Sequence, residues 1–303
     1  MQERPAICVL ANPRSGTTQR NPGAVERAMA VFGPLAELRP FAGDPADEAA
    51  RAVAEGFRIV VAAGGDGTVA GVAHALAGTD CALAVLPLGT FNYFARGLKM
   101  PETPEAAARA ILDGTSHFIR VGTANGRVFL NNVSIGLYPA ILEEREATYA
   151  RFGRYRILAH IASLRTLLRF QKPYRMELYL DETRHRVRSP MLFVARSAYQ
   201  LDQFGLDGAL AISDDRFVLF MAHQQTRLGF LRLAWRLIRK RVDHGRDVTV
   251  ATPRRLAVAL RGRRQVEVAL DGEKLRMRLP LRIRLADDRL HVILPPAKAA
   301  ATA

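Results

Sequence analysis

The stretch Ile59–Leu76, IVVAAGGDGTVAGVAHAL, decides how the rest of the chain is read. Ile59 to Ala63 is an apolar run of strand length, while Val69, Val72, Ala73 and Leu76 fall at i, i+3, i+4 and i+7, the stripe of an amphipathic helix. Between strand and helix stand Gly64, Gly65, Asp66, Gly67 and Thr68. Glycine lets a ligand come close to the backbone amides, and the start of a helix offers N–H donors with no partner of their own, so the turn suits phosphate. Asp66 is the residue a bare phosphate cradle does not need. A carboxylate beside bound phosphates is repelled unless a cation or a transferable proton offsets it, which marks Asp66 for chemistry.

Two further apolar runs end in polar loops. Ile7 to Ala11 leads into Asn12, Pro13, Arg14, Ser15 and Gly16; Leu83 to Leu86 leads into Pro87, Leu88, Gly89, Thr90, Phe91 and Asn92. Helical patterns at Ala24 to Phe32, Pro45 to Glu55 and Glu105 to Leu112 alternate with the strands, the order of a doubly wound parallel sheet. In such a sheet the carboxyl ends of the strands share one edge, where ligands bind, so the three loops are expected to converge.

The sequence of motifs NPRSG (Asn12–Gly16), GGDGT (Gly64–Thr68) and PLGTFN (Pro87–Asn92), with Asp271-Gly272-Glu273 near the end, resembles the catalytic domain of the diacylglycerol kinase family, which includes bacterial lipid kinases and sphingosine kinases. GGDGT alone is shared with NAD kinases. The resemblance runs over nearly the whole chain and implies transfer of the ATP γ-phosphoryl group to a lipid hydroxyl, with Mg²⁺, in a cleft between an α/β domain and a β-sandwich-like domain. Gly64, Gly65 and Gly67 would cradle nucleotide phosphates; Asn12, Arg14, Ser15, Gly16 and Thr68 would add donors and charge; Gly89, Thr90 and Asn92 would close the pocket. Phosphoryl transfer needs positioning and charge neutralisation more than covalent chemistry. Asp66 and Glu273 compete for the proton of the lipid hydroxyl. Asp66 is favoured as base or Mg²⁺ organiser, because its loop sits by the phosphates, whereas an Asp-Gly pair followed by Glu is also an ordinary hairpin turn.

The chain departs from the family pattern twice. Many relatives carry aspartate after the Asn of the third motif, where this chain has Tyr93. Relatives also carry an Asp-Asp-Gly or Asp-Gly step in the second domain, associated with a structural metal; here Asp214 and Asp215, the candidate ligands, are followed by Arg216. Two adjacent aspartates fall short of the several oxygens a hard cation takes.

The chain has 303 residues, 49% of them hydrophobic, enough for about two domains. Residues 1–125 carry a net charge of −1 and residues 126–303 carry +16, so the whole excess of +15 lies in the second part. From about His117 the pattern turns to short β runs: a hairpin at Asn125-Gly126, then Met176 to Leu180, Met191 to Ala195, Phe217 to Met221, Val266 to Leu270 and the alternation Leu275, Met277, Leu279. The fold expected is an N-terminal doubly wound, Rossmann-like α/β domain over 1–125 and a mostly antiparallel, β-sandwich-like domain over 126–303.

Basic amphipathic helices are expected at Thr226 to Val242, with Leu228, Leu231, Trp235 and Ile238 on one side and Arg232, Arg236, Arg239 and Lys240 on another, and more weakly at Arg154 to Phe170. Such helices suit an anionic bilayer, or else pack their apolar stripe on a sheet with the arginines solvated. No zinc spacing, RNA-binding signature or helix-turn-helix pattern accompanies the charge, so nucleic acid ranks below lipid. No apolar run reaches the ~18 residues of a membrane span and the amino terminus lacks a leader pattern, which points to a cytoplasmic protein, peripheral on the inner face of the membrane. Cys8 and Cys81 fall in or beside buried strands and read as reduced thiols. Three functions compete: an ATP-dependent lipid kinase acting on diacylglycerol or a sphingoid-like lipid, an NAD kinase-like enzyme, and a catalytically inactive, membrane-associated nucleotide-binding regulator.

Overall fold

Ile7–Ala11 (β1) and Ile59–Gly64 (β3) are apolar on both faces and pair in parallel, Ile7 opposite Ile59 through Ala11 opposite Ala63. Ala36–Pro40 (β2) pairs with the other edge of β1, and Ala82–Pro87 (β4) with the other edge of β3, all in parallel, giving the order β2-β1-β3-β4. The near-continuous apolar runs are what a sheet covered on both faces demands. These strands belong to a computed structural model that describes residues 6–13, 23–136, 173–223, 226–239, 245 and 247–297.

Among the described residues, five α-helices connect the strands: Ala24–Phe32 (α1), Pro45–Ala54 (α2), Asp66–Leu76 (α3), Tyr93–Gly97 (α4) and Pro104–Leu112 (α5). α2 shows why the sequence starts a helix where it does. Asp44 accepts the Ala46 N–H at 2.9 Å as N-cap, Pro45 stands in the first turn, and Asp47 and Glu48 meet the positive end of the dipole. α1 packs with α5 and α2 with α3, as right-handed crossovers require when the chain steps first to one side of β1 and then to the other. The order reverses between β1 and β3, so the ends of those two strands form the topological switch point.

The chain divides into two compact units, residues 1–121 with 286–303, and residues 122–285. The single boundary expected at 125/126 is therefore corrected in one respect. The last strand, Leu281–Leu294 (β16), starts in the second unit and ends in the first, where Val292 pairs in parallel with Leu83 of β4.

Thr115–Ala124 (β5) begins in the first unit and ends in the second, where it turns at Asn125 (φ 48°) and Gly126 (φ 86°) into Arg127–Phe129 (β6), the type I′ hairpin that the Asn-Gly pair announces. Asn132–Gly136 (β7), Met191–Ala195 (β10), Val218–Ala222 (β11), Val248–Ala251 (β12), Gln265–Leu270 (β14) and Glu273–Arg278 (β15) form a six-stranded antiparallel sheet in the order β12-β11-β10-β7-β14-β15. Facing it are Tyr174–Leu180 (β8), Thr183–Ser189 (β9), Arg255–Leu260 (β13) and the first part of β16. Val133, Ile135, Leu192 and Val268 of the first set and Leu178, Val258, Leu281 and Ile283 of the second share one core, a β-sandwich arrangement.

Among the described residues of this unit are three short-to-medium helices: Ala198–Gln203 (α6), Ala209–Ser213 (α7) and Arg227–Ile238 (α8). Leu201 of α6 and Leu233 of α8 pack on the reverse side of the six-stranded sheet against Phe193, Val218 and Phe220. On α8, Leu228 is 58% and Trp235 56% exposed, and Leu233 is buried. The helix expected at Arg154 to Phe170, and Lys240, lie outside the described residues.

Candidate functional site

The loops after β1, β3 and β4 are tied together at the carboxyl edge of the parallel sheet. Asn12 follows β1 directly; its backbone N–H donates to the Ala63 carbonyl at 3.0 Å and its Nδ2 donates to Thr68 Oγ1 at 3.1 Å. The N–H of Leu88, beyond β4, donates to the Gly64 carbonyl at 3.0 Å. Gly89 then comes so close to the glycine loop that a Cβ there would lie 2.4 Å from the Gly65 Cα. A Cβ on Gly64 would lie 2.5 Å from Thr68 Oγ1. No side chain larger than hydrogen fits at either position without moving backbone or the Thr68 side chain. The glycines of the two motifs thus pack the loops against each other, a role beyond the ligand approach read from sequence.

Gly65 is the N-cap of α3, so Asp66, Gly67 and Thr68 form its first turn, where N–H groups have no acceptor within the helix and the dipole favours anions. Asp66 Oδ1 accepts the Phe94 N–H at 3.1 Å, which links the helix start to α4. Asn92 stands at φ 52° just before α4. Its Oδ1 accepts the Gly89 N–H at 2.8 Å, and its Nδ2 donates to the carbonyls of Pro87 and Gly89, both at 3.1 Å. Asn92 therefore braces its own loop. Thr68 is likewise buried with its hydroxyl on Asn12, while Thr90 is exposed. Tyr93, in the place where relatives carry aspartate, stacks on Phe91 with ring centroids 5.5 Å apart and planes within 1°.

Of the expected site residues, the structure brings Asn12, Gly64, Gly65, Asp66, Gly67, Thr68, Gly89, Thr90 and Asn92 to one sheet edge of the first unit. Arg14, Ser15 and Gly16 lie outside the described residues. Glu273 belongs to the second unit, half-exposed at the start of β15, with the Arg127 guanidinium 3.8 Å away.

Asp271, the first residue of that turn, has no role in the sequence reading beyond the motif, and it is the better-held carboxylate. Asp271 is buried; its Oδ2 accepts the Leu130 N–H at 2.7 Å, and its Oδ1 accepts those of Asn131 at 2.7 Å and Asn132 at 2.9 Å. Its own N–H donates to the Asn132 carbonyl at 2.9 Å. Asn132 Nδ2 continues the network to Gln200 Oε1 at 3.0 Å. Nothing local announces these partners, which lie about 140 residues earlier; only the buried polar pair Asn131-Asn132 between apolar strands hints at a carboxylate to be met.

The candidate metal ligands Asp214 and Asp215 form a turn after α7. Asp215 stands at φ 58° and accepts from Arg196 Nη2 at 2.9 Å, so a guanidinium occupies the place a cation would take. Among the described residues no three His, Cys, Asp or Glu side chains cluster to hold a metal. On α8, Arg236 is committed to the buried Asp247 through two bonds of 2.6 and 2.8 Å, and Arg239 lies 4.5 Å over the Trp235 ring. Among the described residues no helix is long and apolar enough to cross a membrane.

Residues 6–124 match the family described as diacylglycerol kinase catalytic domain. The "Diacylglycerol kinase" of Bacillus subtilis strain 168 is 28% identical over 264 residues, 85% of this chain and 84% of that one. That of Mycobacterium tuberculosis strain H37Rv is 33% identical over 193 residues, 58% of this chain and 60% of its own. A "Probable lipid kinase YegS-like" of Pseudomonas aeruginosa strain UCBPP-PA14 is 48% identical over 96 residues, and the chain spans about a third of that relative's length, 32%. Two crystal structures of proteins from Bacillus anthracis strain Sterne, the second described as a diacylglycerol kinase, share the fold over 98% of this chain and 99% of theirs, with TM-scores of 0.73 and 0.67 at 20% and 19% identity. The α/β part of this chain, with its glycine loops interlocked at the switch point, is matched over residues 6–124 by the diacylglycerol kinase catalytic-domain family.

Proposed function

We propose that the protein is an ATP-dependent lipid kinase that transfers the γ-phosphoryl group to a hydroxyl of diacylglycerol or a sphingoid-like lipid. The observation that carries this reading is the interlock of the three loops around Asp66: Asn12 bonded to Ala63 and Thr68, Gly89 against Gly65, and Phe94 N–H on the Asp66 carboxylate. That edge offers backbone donors and one acid, which is what phosphoryl transfer asks of a protein. In the reaction the acceptor oxygen bonds to the γ-phosphorus, the bridging oxygen leaves with ADP, and the hydroxyl proton passes to a carboxylate.

Asp66 is the carboxylate we assign to the proton or to Mg²⁺, and Glu273 is its rival for the proton. The glycine-loop amides and the first turn of α3 hold the phosphates, with Arg14, Ser15 and Gly16 as further contacts. The donor set fits Mg²⁺, which is commonly bound by one or two carboxylates together with substrate phosphates, and Asp66 is the residue that would hold it. The cation would neutralise charge on the transferred group. The acceptor is proposed to reside in an anionic membrane surface, on which the protein acts peripherally from the cytoplasmic side.

Incubation with labelled ATP and Mg²⁺, with diacylglycerol or sphingoid vesicles in one arm and NAD in the other, tests the assignment. Label is expected in the lipid; label in NAD would select the NAD kinase-like reading, and label in neither would select the inactive regulator. Asp66→Asn is expected to lower transfer by at least a hundredfold with its thermal unfolding midpoint near that of the parent, and near-normal turnover would remove Asp66 from the chemistry. Glu273→Gln, assayed in parallel across pH, shows which carboxylate sets the basic limb of the rate.

A further inference from the structure

The strands β9-β8-β13-β16 of the second unit turn one face to the core and the other to solvent. Met176, Leu178, Leu256, Val258, Leu281 and Ile283 are the inward residues. Because side chains alternate along a strand, the residues between them share the outer face. Those are Arg175, Glu177 and Tyr179 on β8, Arg184, Arg186 and Arg188 on β9, Arg255 on β13, and Arg282 and Arg284 on β16, with Ala257 and Ala259 at the centre. All seven arginines are exposed.

Their register is costly. Arg175 stands directly opposite Arg188, and Arg255 directly opposite Arg284. Like charges facing each other across a sheet destabilise it, and folded surfaces ordinarily mix signs. Glu177 pairs with Arg184 at 2.8 Å and with Arg186 at 3.5 Å, and Glu182 pairs with Arg255. Protection of the edge strand β9 from self-pairing accounts for charge on that strand, but not for Arg175, Arg282 and Arg284 on strands that are already paired on both sides. At strand spacings of about 4.8 Å, cations on neighbouring strands lie within one Debye length, about 8 Å at physiological salt, so each acts together with its neighbours.

We propose that this arginine face docks the protein on an anionic phospholipid bilayer, a surface that the lipid kinase reading requires and on which this inference rests. A planar array of cations around two alanines matches a plane of phosphates. Among its described residues it offers a nucleic-acid strand a single aromatic for stacking, Tyr179, whose ring has Arg184 beside it at 5.9 Å, whereas single-strand binders stack successive bases on several rings. α8, the surface expected from sequence to meet the membrane, packs through Leu233 on the far side of the six-stranded sheet from this face, and its Arg236 is spent on Asp247. One flat bilayer meets one of these two sides of the unit.

Cosedimentation of the full chain with vesicles, without nucleotide or acceptor, tests the proposal. The parent protein is expected to bind phosphatidylglycerol–phosphatidylcholine vesicles, to ignore phosphatidylcholine alone, and to release with salt. The variant R175Q/R188Q/R282Q/R284Q is expected to lose about tenfold or more in vesicle affinity, from cations each of which contributes measurably at a charged surface. Arg-to-Lys replacements at the same four positions should keep binding, and the two halves of the variant, R175Q/R188Q and R282Q/R284Q, should each lose part of it with an unfolding midpoint no lower than the parent's. Undiminished vesicle binding by the four-Gln variant overturns the proposal. So does loss confined to R232Q/R239Q on α8, or binding of a single-stranded oligonucleotide through the four arginines with no vesicle binding. Phosphorylation of a short-chain diacylglycerol in neutral detergent micelles reads the kinase assignment separately: activity there with vesicle binding unchanged in the four-Gln variant sinks the docking face alone, and arginine-dependent vesicle binding without phosphorylation sinks the kinase reading alone.

Discussion

At the scale of single residues, the two carboxylates of the late Asp-Gly-Glu step have opposite characters. Glu273 is half-exposed and paired loosely with Arg127, whereas Asp271 is buried and holds three backbone N–H groups at 2.7–2.9 Å. Charged acceptors of backbone N–H groups are among the stronger hydrogen bonds, and removing one leaves buried donors without partners. Asp271→Ala is therefore expected to destabilise the protein by roughly 3–5 kcal/mol, read from urea unfolding followed at both domains. Arg127→Gln should leave stability unchanged, since an exposed pair contributes little. Equal stability of the Asp271 variant and the parent would show that the 130–132 segment is held by its sheet pairing alone. From sequence the turn at 271–273 was legible, through Asp-Gly, and its two acids were visible. Which of them serves structure was not, because the partners of Asp271 come from chain far away and no local pattern encodes them.

At the scale of elements, the parallel strands were the most legible part. β1 and the helix Ala24–Phe32 stand where the apolar pattern puts them, and β10 begins and ends as read, since buried elements carry unbroken apolar runs or full helical periods. β2, β9, β13 and β16 escaped notice for the converse reason: they are short, or alternate charge with apolar residues, as in Arg282-Ile283-Arg284, and resemble solvated loops until the register is known. The buried runs have a chemical consequence at Cys8 of β1 and Cys81 before β4, both unbridged and buried. Burial pushes both thiols up to about 11 from an ordinary 9.0. The folded state keeps them neutral while the unfolded chain ionises them, so the unfolded state holds fewer protons above pH 9 and stability falls between about pH 9 and about pH 11. The expected result is a denaturation midpoint that drops across that window and drops less in a Cys8→Ala/Cys81→Ala variant. The native thiols should also resist a disulfide reagent at pH 8 until urea unfolds the chain. Rapid labelling of folded protein would place at least one thiol within reach of solvent.

At the scale of the whole molecule, the division expected at 125/126 follows composition, and the path of the chain does not. Charge and pattern change once along the sequence, while the last strand carries residues 286–294 back into the first, near-neutral unit. There Leu290 and Val292 are fully buried and Ile293 nearly so, Val292 pairs with Leu83, and the Gly78 N–H donates to the Arg289 carbonyl at 3.0 Å. Three such side chains contribute roughly 5–9 kcal/mol by area, against the ~5–15 kcal/mol that holds a typical domain together. A fragment of residues 1–125 is accordingly expected to be unfolded or aggregated, with no cooperative thermal transition. The same fragment joined through a flexible linker to residues 286–297 should fold and melt cooperatively. Replacing Leu290 and Val292 by serine in the joined fragment should abolish that melt, because two buried hydroxyls would take the place of the side chains that close the sheet edge beside β4. Cooperative folding of 1–125 alone would mean that β1, β3 and β4 with their helices already bury enough, and that the returning strand serves only to join the two units.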